Sequence, residues 1–270
     1  MTVSPQFRTS AAYVLVSALW IWLSDRALGA LVAGHAELTI LQSVKGWLFV
    51  LVTGAALYWM IGRDLRRLRG VNQTLVDGHQ QALRVLVSAM DIRHRETGDH
   101  SDRVRRVAVG LAELVGLQGN ALRNLSFGAL LHDIGKLALP DAILIKPGKL
   151  DDAELTVMHT HPQIGYDLLR RVDFLRDAGD IPHGHHERWD GGGYPQGLRG
   201  EAIPLAARIF SVVDVWDALI SPRIYKQAWP EAEVLDYLRK GAGSQFDPAL
   251  VALFLANYDA LKALGRTPAA

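Results

Sequence analysis

The stretch LLHDIGKLALP, residues 130–140, carries two patterns at once. At 100° per residue Leu130, Leu131, Ile134 and Leu137 fall within one arc of about 120°. That spacing predicts a helix with a single apolar face, ended by Pro140. The opposite arc holds His132, Asp133 and Lys136. A solvated helix face is ordinarily filled with Glu, Lys and Gln, whereas this one combines an imidazole, a carboxylate and an ammonium. Adjacent His and Asp side chains can serve different cations. Lys136, one turn later, can reach a phosphate oxygen or a metal-bound water.

Working outward, the neighbouring segments repeat the combination. In ETGDHSDRVRRVAVGLAELVG, residues 96–116, Val104, Val107, Ala108, Leu111, Ala112 and Val115 share one helical face. His100 lies one turn ahead of them on the same side, with Glu96 just before it. A core histidine and a cap are the bland alternatives there. Downstream, Asp151 and Glu154 have the spacing of a capping box. Pro162 disfavours helical geometry at His161, so its imidazole is expected to leave the preceding helix. HGHHERWDGGGYP, residues 183–195, supplies the adjacent pair His185 and His186 and then a glycine-rich turn ending at Tyr194 and Pro195. VVDVWDAL places Asp214 and Asp217 on one helical face. Eight of the ten histidines fall between His94 and His186, and of these His94, His159 and His183 gain no partner from the pattern.

Composition limits the chemistry. The chain has 270 residues, a formal net charge of +1 and no cysteine. Thiol nucleophiles, disulfides, cysteine zinc sites and iron–sulfur clusters are thereby excluded, and any metal must sit on His and carboxylates. The near-zero charge gives no signal for a nucleic-acid polymer.

Charge is unevenly spread. Of 29 basic and 28 acidic residues only Arg8, Asp25, Arg26, Glu37 and Lys45 fall in residues 1–62. Two transmembrane helices are expected there: one from Thr9, interrupted by an interfacial Asp25–Arg26, and one over residues 46–62, with a loop of about Asp25 to Lys45 between them. Buried core helices, or a cleaved leader over residues 1–33, are the alternatives. Trp20, Trp22, Trp47 and Trp59 sit near the span ends, as interfacial rings do. Arg63, Arg66, Arg67 and Arg69 follow the second span and place that end in the cytoplasm by the positive-inside bias. Residues 63–82 are expected to form a linker helix, with Leu65, Leu68, Asn72, Leu75, His79, Ala82 and Leu86 at heptad spacing that suits either a homodimer or a single amphipathic helix packing on its own domain. Residues 263–270 are expected to be a loose tail. Helical periodicity dominates after residue 70 and no alternating strand-like run occurs, so the fold class is all-α.

ETGDH, HDIGK, ILIKPGKL, MHTHPQIG, HHERWDGGGYPQGLRG, IPLAARI, DVWDAL and GSQFDP occur in that order. With them the chain resembles the HD-GYP subgroup of HD-superfamily metal phosphohydrolases over roughly residues 83–261. The resemblance implies an HD-superfamily helical bundle with a GYP extension, here preceded by two transmembrane helices. It implies metal ligands at Glu96, His100, His132, Asp133, His161, His185, His186 and Asp214, holding two or three divalent ions, Fe or Mn. Asp217 matches a recurrent position and is read as supporting a ligand. The implied activity is hydrolysis of cyclic di-GMP to pGpG or GMP at the bacterial inner membrane, with Asp133 and Lys136 catalytic and Lys136, Tyr194, Arg223 and Lys226 binding substrate. Five imidazoles and three carboxylates without a thiolate suit such metals. Three carboxylates leave two or three divalent ions with net positive charge, which attracts a phosphodiester. The chain departs from the family at PRIYK, residues 222–226, where DRPYR is common. Two alternatives stay open: a non-hydrolytic receptor or adaptor that binds cyclic di-GMP or a protein partner, and hydrolysis of another cyclic dinucleotide.

Overall fold

The computed structural model describes residues 5–31, 35–94, 100–222 and 227–266. Glu96, Arg223 and Lys226 lie outside them. The chain divides into two units, Met1–Gly78 and His79–Ala270.

The first unit holds α1 (Pro5–Leu31) and the first part of α2 (His35–His94). The stretches Thr9–Leu31 and Glu37–Val71 are long and apolar enough to cross a membrane, and none of their most apolar windows is buried in protein. Leu15, Trp47 and Leu51 are about 70% exposed. A helix that is apolar all round needs an apolar surround. The guanidinium of Arg26 lies over Trp22 and that of Arg63 over Trp59. Most of the expected loop from Asp25 to Lys45 is helical among the described residues: α1 continues through Leu31 and α2 begins at His35. Asp25 and Lys45 form an ion pair, so the charges that suggested a loop satisfy each other on adjoining helices.

The second unit is helical, and its described residues contain no strand, only an isolated bridge between Ala242 and Phe246. After the end of α2 come α3 (His100–Val115), α4 (Gly119–Leu130), α5 (Asp141–Leu144), α6 (Asp152–Met158), α7 (His161–Leu169), α8 (Asp180–Gly184), α9 (Leu205–Ile220), α10 (Glu231–Gly241), α11 (Pro248–Ala256) and α12 (Tyr258–Arg266). The apolar face read from α3 is buried at Val104, Val107, Ala108, Leu111 and Ala112, and it packs with Phe210, Trp216 and Phe254 in the main core. A second cluster joins Val87 and Met90 of α2 to Phe127, Leu130, Leu131 and Ile134. Helix α12 runs to Arg266, so the expected tail is ordered as far as that residue. It is held there because Arg106 donates to the carbonyls of Leu264 and Gly265 at 2.9 and 3.2 Å.

Candidate metal centre

Four backbone devices deliver the predicted side chains to one place. The first differs from expectation. Residues 130–140 are not one α-helix: α4 stops at Leu130, a turn carries His132 and Asp133, and a 3-10 segment runs from Ile134 to Ala138. The cause is a close approach. A Cβ at Gly135 would lie 1.9 Å from the His161 carbonyl oxygen and 2.7 Å from the Gly165 nitrogen. Only glycine lets the turn press against α7. In consequence His132 and Asp133 are buried, at 2% and 4% exposure, instead of facing solvent on a helix surface.

The second device is the capping box expected at Asp151. Asp151 accepts from the Glu154 amide and Glu154 accepts from the Asp151 amide, both at 2.9 Å. The short α6 ends at Met158 and α7 begins at His161 itself, with Pro162 in its first turn. Proline is tolerated there because a first-turn amide has no intrahelical partner. His161 thus lies outside α6, as expected, but is itself helical as the first residue of α7.

The third is the glycine-rich loop after His186. A Cβ at Gly193 would fall 2.4 Å from the Arg188 nitrogen and 2.6 Å from the His186 carbonyl oxygen, so the chain folds directly back over His186. Glu187, 3% exposed, fastens this loop by accepting from the amides of Gln196 and Leu198 at 2.7 and 3.0 Å. Tyr194 then stacks on His186 and on His159, with centroids 4.7 and 3.9 Å apart. The fourth is α9, which carries both Asp214 and Asp217 beside α3.

Seven of the eight ligand candidates are described, and they converge. His100, His132 and Asp214 form one group and His161, His185 and His186 another; within each group the ligating atoms lie within 4.8 Å of one another. Asp133 stands between. Its Oδ2 is 3.2 Å from His132 Nε2, while its Oδ1 is 3.4 Å from His161 Nε2 and 3.8 Å from His185 Nε2. Lys136 caps the same carboxylate at Oδ2. Of the expected decoys, His183 bonds Gln163 and Gln196, and His159 meets Tyr194.

The remaining ring nitrogens fix how the imidazoles present themselves. Nδ1 of His132, His161 and His185 faces the backbone carbonyls of Ala129, Met158 and Ile181 at 3.0, 2.7 and 3.0 Å. Nδ1 of His100 faces Asp217 at 2.7 Å. A carbonyl only accepts, so Nδ1 of His132, His161 and His185 carries a hydrogen, and in the neutral rings of His161 and His185 Nε2 is a bare lone pair turned inward. Asp217 is in turn held by both Arg103 Nη2 at 2.9 Å and Arg103 Nε. Asp133 Oδ1, His161 Nε2 and His185 Nε2 are buried with no hydrogen-bond partner. Orphaned buried acceptors are costly unless a cation completes them, and N/O donors of this kind fit a borderline or hard divalent metal.

Charge follows the same layout. Burial lowers His161 to about 3 and His185 to about 4, and it carries His186 well below the ordinary imidazole value. These rings are neutral, as ligands must be. Burial also opposes charge on His132, yet the adjacent Asp133 outweighs it and raises that ring to about 9. Burial would likewise raise Asp133, but Lys136 and His132 hold it well below the carboxylate range.

Glu187, Arg103 and Phe210 were not marked by sequence pattern. Phe210 lies on the apolar side of the cluster, 4.8 Å from His132 and 6.1 Å from His185 by ring centroid. A tertiary neighbour of this kind leaves no local signature.

A helical bundle whose metal-type cluster is built around an adjacent His–Asp pair defines a class. The chain belongs to the HD-domain family, whose family model, described as HD domain, matches residues 84–250. Among curated relatives, it is 44% identical over 190 residues to the cyclic di-GMP phosphodiesterase response regulator RpfG of Xanthomonas campestris pv. campestris, covering 70% of this chain and 50% of that protein. It is 43% identical over 188 residues to a cyclic di-GMP phosphodiesterase of Vibrio cholerae, covering 64% and 38%. It is 41% identical over 176 residues to the 3'3'-cGAMP-specific phosphodiesterase 2 of the same organism, covering 64% and 34%. The chain thus spans half or less of the length of these relatives. Among solved structures, that of a cyclic GMP-AMP specific phosphodiesterase of Vibrio cholerae (V-cGAP3) matches with a TM-score of 0.50 at 20% identity, over 69% of this chain and 54% of that one. That likeness shows the fold.

Proposed function

We propose that the chain is a membrane-anchored, metal-dependent phosphodiesterase that hydrolyses cyclic di-GMP to pGpG, GMP or both. One observation carries the reading: two ligand groups, one of them offering the bare inward Nε2 atoms of His161 and His185, share the carboxylate of Asp133. His100, His132 and Asp214 would hold one divalent ion and His161, His185 and His186 a second, with Asp133 serving both. Glu96 is the candidate for a third. Fe and Mn suit this donor set. Bound ions would supply Lewis acidity that activates water and takes up charge on the phosphoryl oxygens.

The chain's own residues do the rest. Lys136, 20% exposed at its side chain, presents an ammonium beside Asp133, where it binds a phosphate oxygen and steadies the charge that grows on it. Neutral, tautomer-fixed imidazoles preserve the positive charge of the centre, which draws in the diester. The phenol of Tyr194 lies at the edge of the histidine cluster. Its ring already stacks on two imidazoles, which orients His186, and its hydroxyl edge is offered to substrate. Arg223 and Lys226 are assigned to the substrate phosphate on the strength of the family motif.

The apolar all-round helices and the arginine series Arg63, Arg66, Arg67 and Arg69 support two passes through the bacterial inner membrane with the catalytic unit in the cytoplasm. Leu65, Leu68 and Leu86 on the heptad face of α2 are 48%, 66% and 43% exposed, which supports a homodimer along that helix. A second substrate, 3'3'-cGAMP, is favoured by the PRIYK departure and by the 41% identity to a relative specific for it.

The deciding experiment incubates the purified, metal-loaded full chain separately with cyclic di-GMP and 3'3'-cGAMP and follows both by chromatography. Linear pGpG or GMP is expected from cyclic di-GMP. Faster cleavage of 3'3'-cGAMP would transfer the assignment to that substrate, and binding without cleavage of either would make the protein a receptor.

A further inference from the structure

Arg93, in the last turn of α2, is not a ligand candidate, yet it makes four hydrogen bonds to the segment that leads out of the His–Asp turn. Its Nη1 donates to the Leu137 carbonyl at 2.9 Å and its Nη2 to the Leu139 carbonyl at 2.9 Å. Its Nε and Nη2 both donate to Asp141 Oδ1, at 3.0 and 2.7 Å. One guanidinium thus grips a carbonyl inside the 3-10 segment Ile134–Ala138, the carbonyl just after it and the carboxylate at the start of α5. Three residues before it on the same helix, Met90 is 1% exposed, and Val87 one turn further back is 3% exposed; both pack in the cluster with Leu130, Leu131 and Ile134. The end of α2 therefore holds both flanks of the turn that carries His132 and Asp133.

Such a grip has a physical need to meet. The contact of Gly135 with α7 ends α4 early and forces the chain into a 3-10 path. That geometry makes poorer hydrogen bonds than an α-helix and leaves terminal carbonyls without intrahelical donors. A planar, permanently charged fork is the side chain best suited to several acceptors at fixed angles. Lys136 sits in the middle of the gripped segment, and its aim at a phosphate depends on where that segment lies.

We infer that Arg93 is a positioning residue: by clamping Leu137, Leu139 and Asp141 it fixes the 3-10 segment and so aims Lys136, and with it the carboxylate of Asp133 that Lys136 caps. The inference rests on the phosphodiesterase reading for its kinetic arm alone.

The test uses the full, metal-loaded chain and the variants Arg93→Ala, Arg93→Lys and Asp141→Asn. For Arg93→Ala, kcat should fall about 10- to 100-fold, the effect of an ångström-scale misplacement of a catalytic group, with a much smaller change in KM. Guanidinium ion added at millimolar concentration should restore part of that loss and leave the wild type unaffected. Arg93→Lys should be intermediate, and Asp141→Asn should weaken the wild type but change Arg93→Ala little further. Independently of turnover, amide exchange over residues 134–141 should accelerate in Arg93→Ala while peptides from α3 and α9 keep their protection and metal content is retained. Unchanged exchange over 134–141 would overturn the clamp. Acceleration spread evenly over the whole catalytic unit would reduce Arg93 to a general stabilising role and equally defeat the proposal. Should wild-type protein hydrolyse nothing, the phosphodiesterase reading fails, and the exchange result still decides whether Arg93 holds the turn.

Discussion

Replacing Gly135 by alanine puts the packing of the His–Asp turn under direct strain. The added Cβ would stand 1.9 Å from the His161 oxygen, 2.7 Å from the Gly165 nitrogen and 2.9 Å from the His161 carbonyl carbon. Even close carbon–oxygen contacts stay beyond about 3.3 Å, so the turn and α7 must part by more than about 1 Å. All three atoms are backbone, and no rotamer change can relieve them. Overpacking of this kind costs about 1–3 kcal/mol, and for a unit of this size each kcal/mol lowers Tm by about 2–4 °C. The larger effect is functional, because the displaced helix begins with His161, whose Nε2 lies 3.4 Å from Asp133 Oδ1. An ångström of misplacement at that point is expected to reduce kcat about 100-fold. Turnover of cyclic di-GMP, metal content and thermal melting measured on one preparation give the three numbers. Gly70→Ala is the matched control, since a Cβ there meets nothing within 4 Å and replaces a glycine inside α2. Wild-type turnover and melting in Gly135→Ala would refute the close-approach argument.

Three further outcomes follow from the same geometry. Asp217→Asn removes the charged acceptor behind His100 and should weaken metal binding at the His100, His132, Asp214 group by about 10- to 100-fold; a metal titration resolving two classes of site should show only that class displaced, and equal weakening of both would contradict the assignment. Glu187→Ala strands the amides of Gln196 and Leu198, each lost bond costing about 1–3 kcal/mol, so limited proteolysis should cut the loop over residues 190–199 faster while α3 stays resistant. For the metal-free protein, burial holds His161 near 3 and His185 near 4, below the unfolded imidazole value of about 6.5. The unfolded chain therefore binds more protons in that window, and stability present above pH 6.5 is lost as pH falls towards 4. His132, raised to about 9, acts oppositely, adding stability that is full below about pH 6.5 and is lost towards pH 9. Denaturant melts of chelated protein should fall by at least about 2 kcal/mol between pH 6.5 and 4, and metal-loaded protein should resist the change; an unchanged chelated protein would exclude buried neutral imidazoles.

What was legible in the sequence was whatever local periodicity or capping encodes. The buried face of α3 from Val104 to Ala112 and the reciprocal bonds of Asp151 and Glu154 appear as the spacing requires. The errors share a different cause. A wheel drawn over residues 130–140 cannot register that Gly135 lies against the backbone of α7, the contact that stops α4 at Leu130 and turns His132 and Asp133 inward. Pro162 correctly marks His161 as outside α6, but the local rule misses that the same proline opens α7 with His161 in helical geometry. Asp25 and Lys45 suggested a loop because charges in an apolar run are costly alone; paired with each other they sit on α1 and α2. Arg93, Arg103 and Glu187 left no trace in the sequence, since each acts on a partner at least nine residues away, fixed by tertiary packing.

Anomalous diffraction from crystals of the metal-loaded protein tests most directly whether Asp133 joins two cation sites. Two peaks are expected about 3.5–4 Å apart, one among His100, His132 and Asp214 and one among His161, His185 and His186, with Asp133 touching both. A single peak, or peaks that leave either histidine group unengaged, would contradict the shared-carboxylate centre and the phosphodiesterase chemistry built on it.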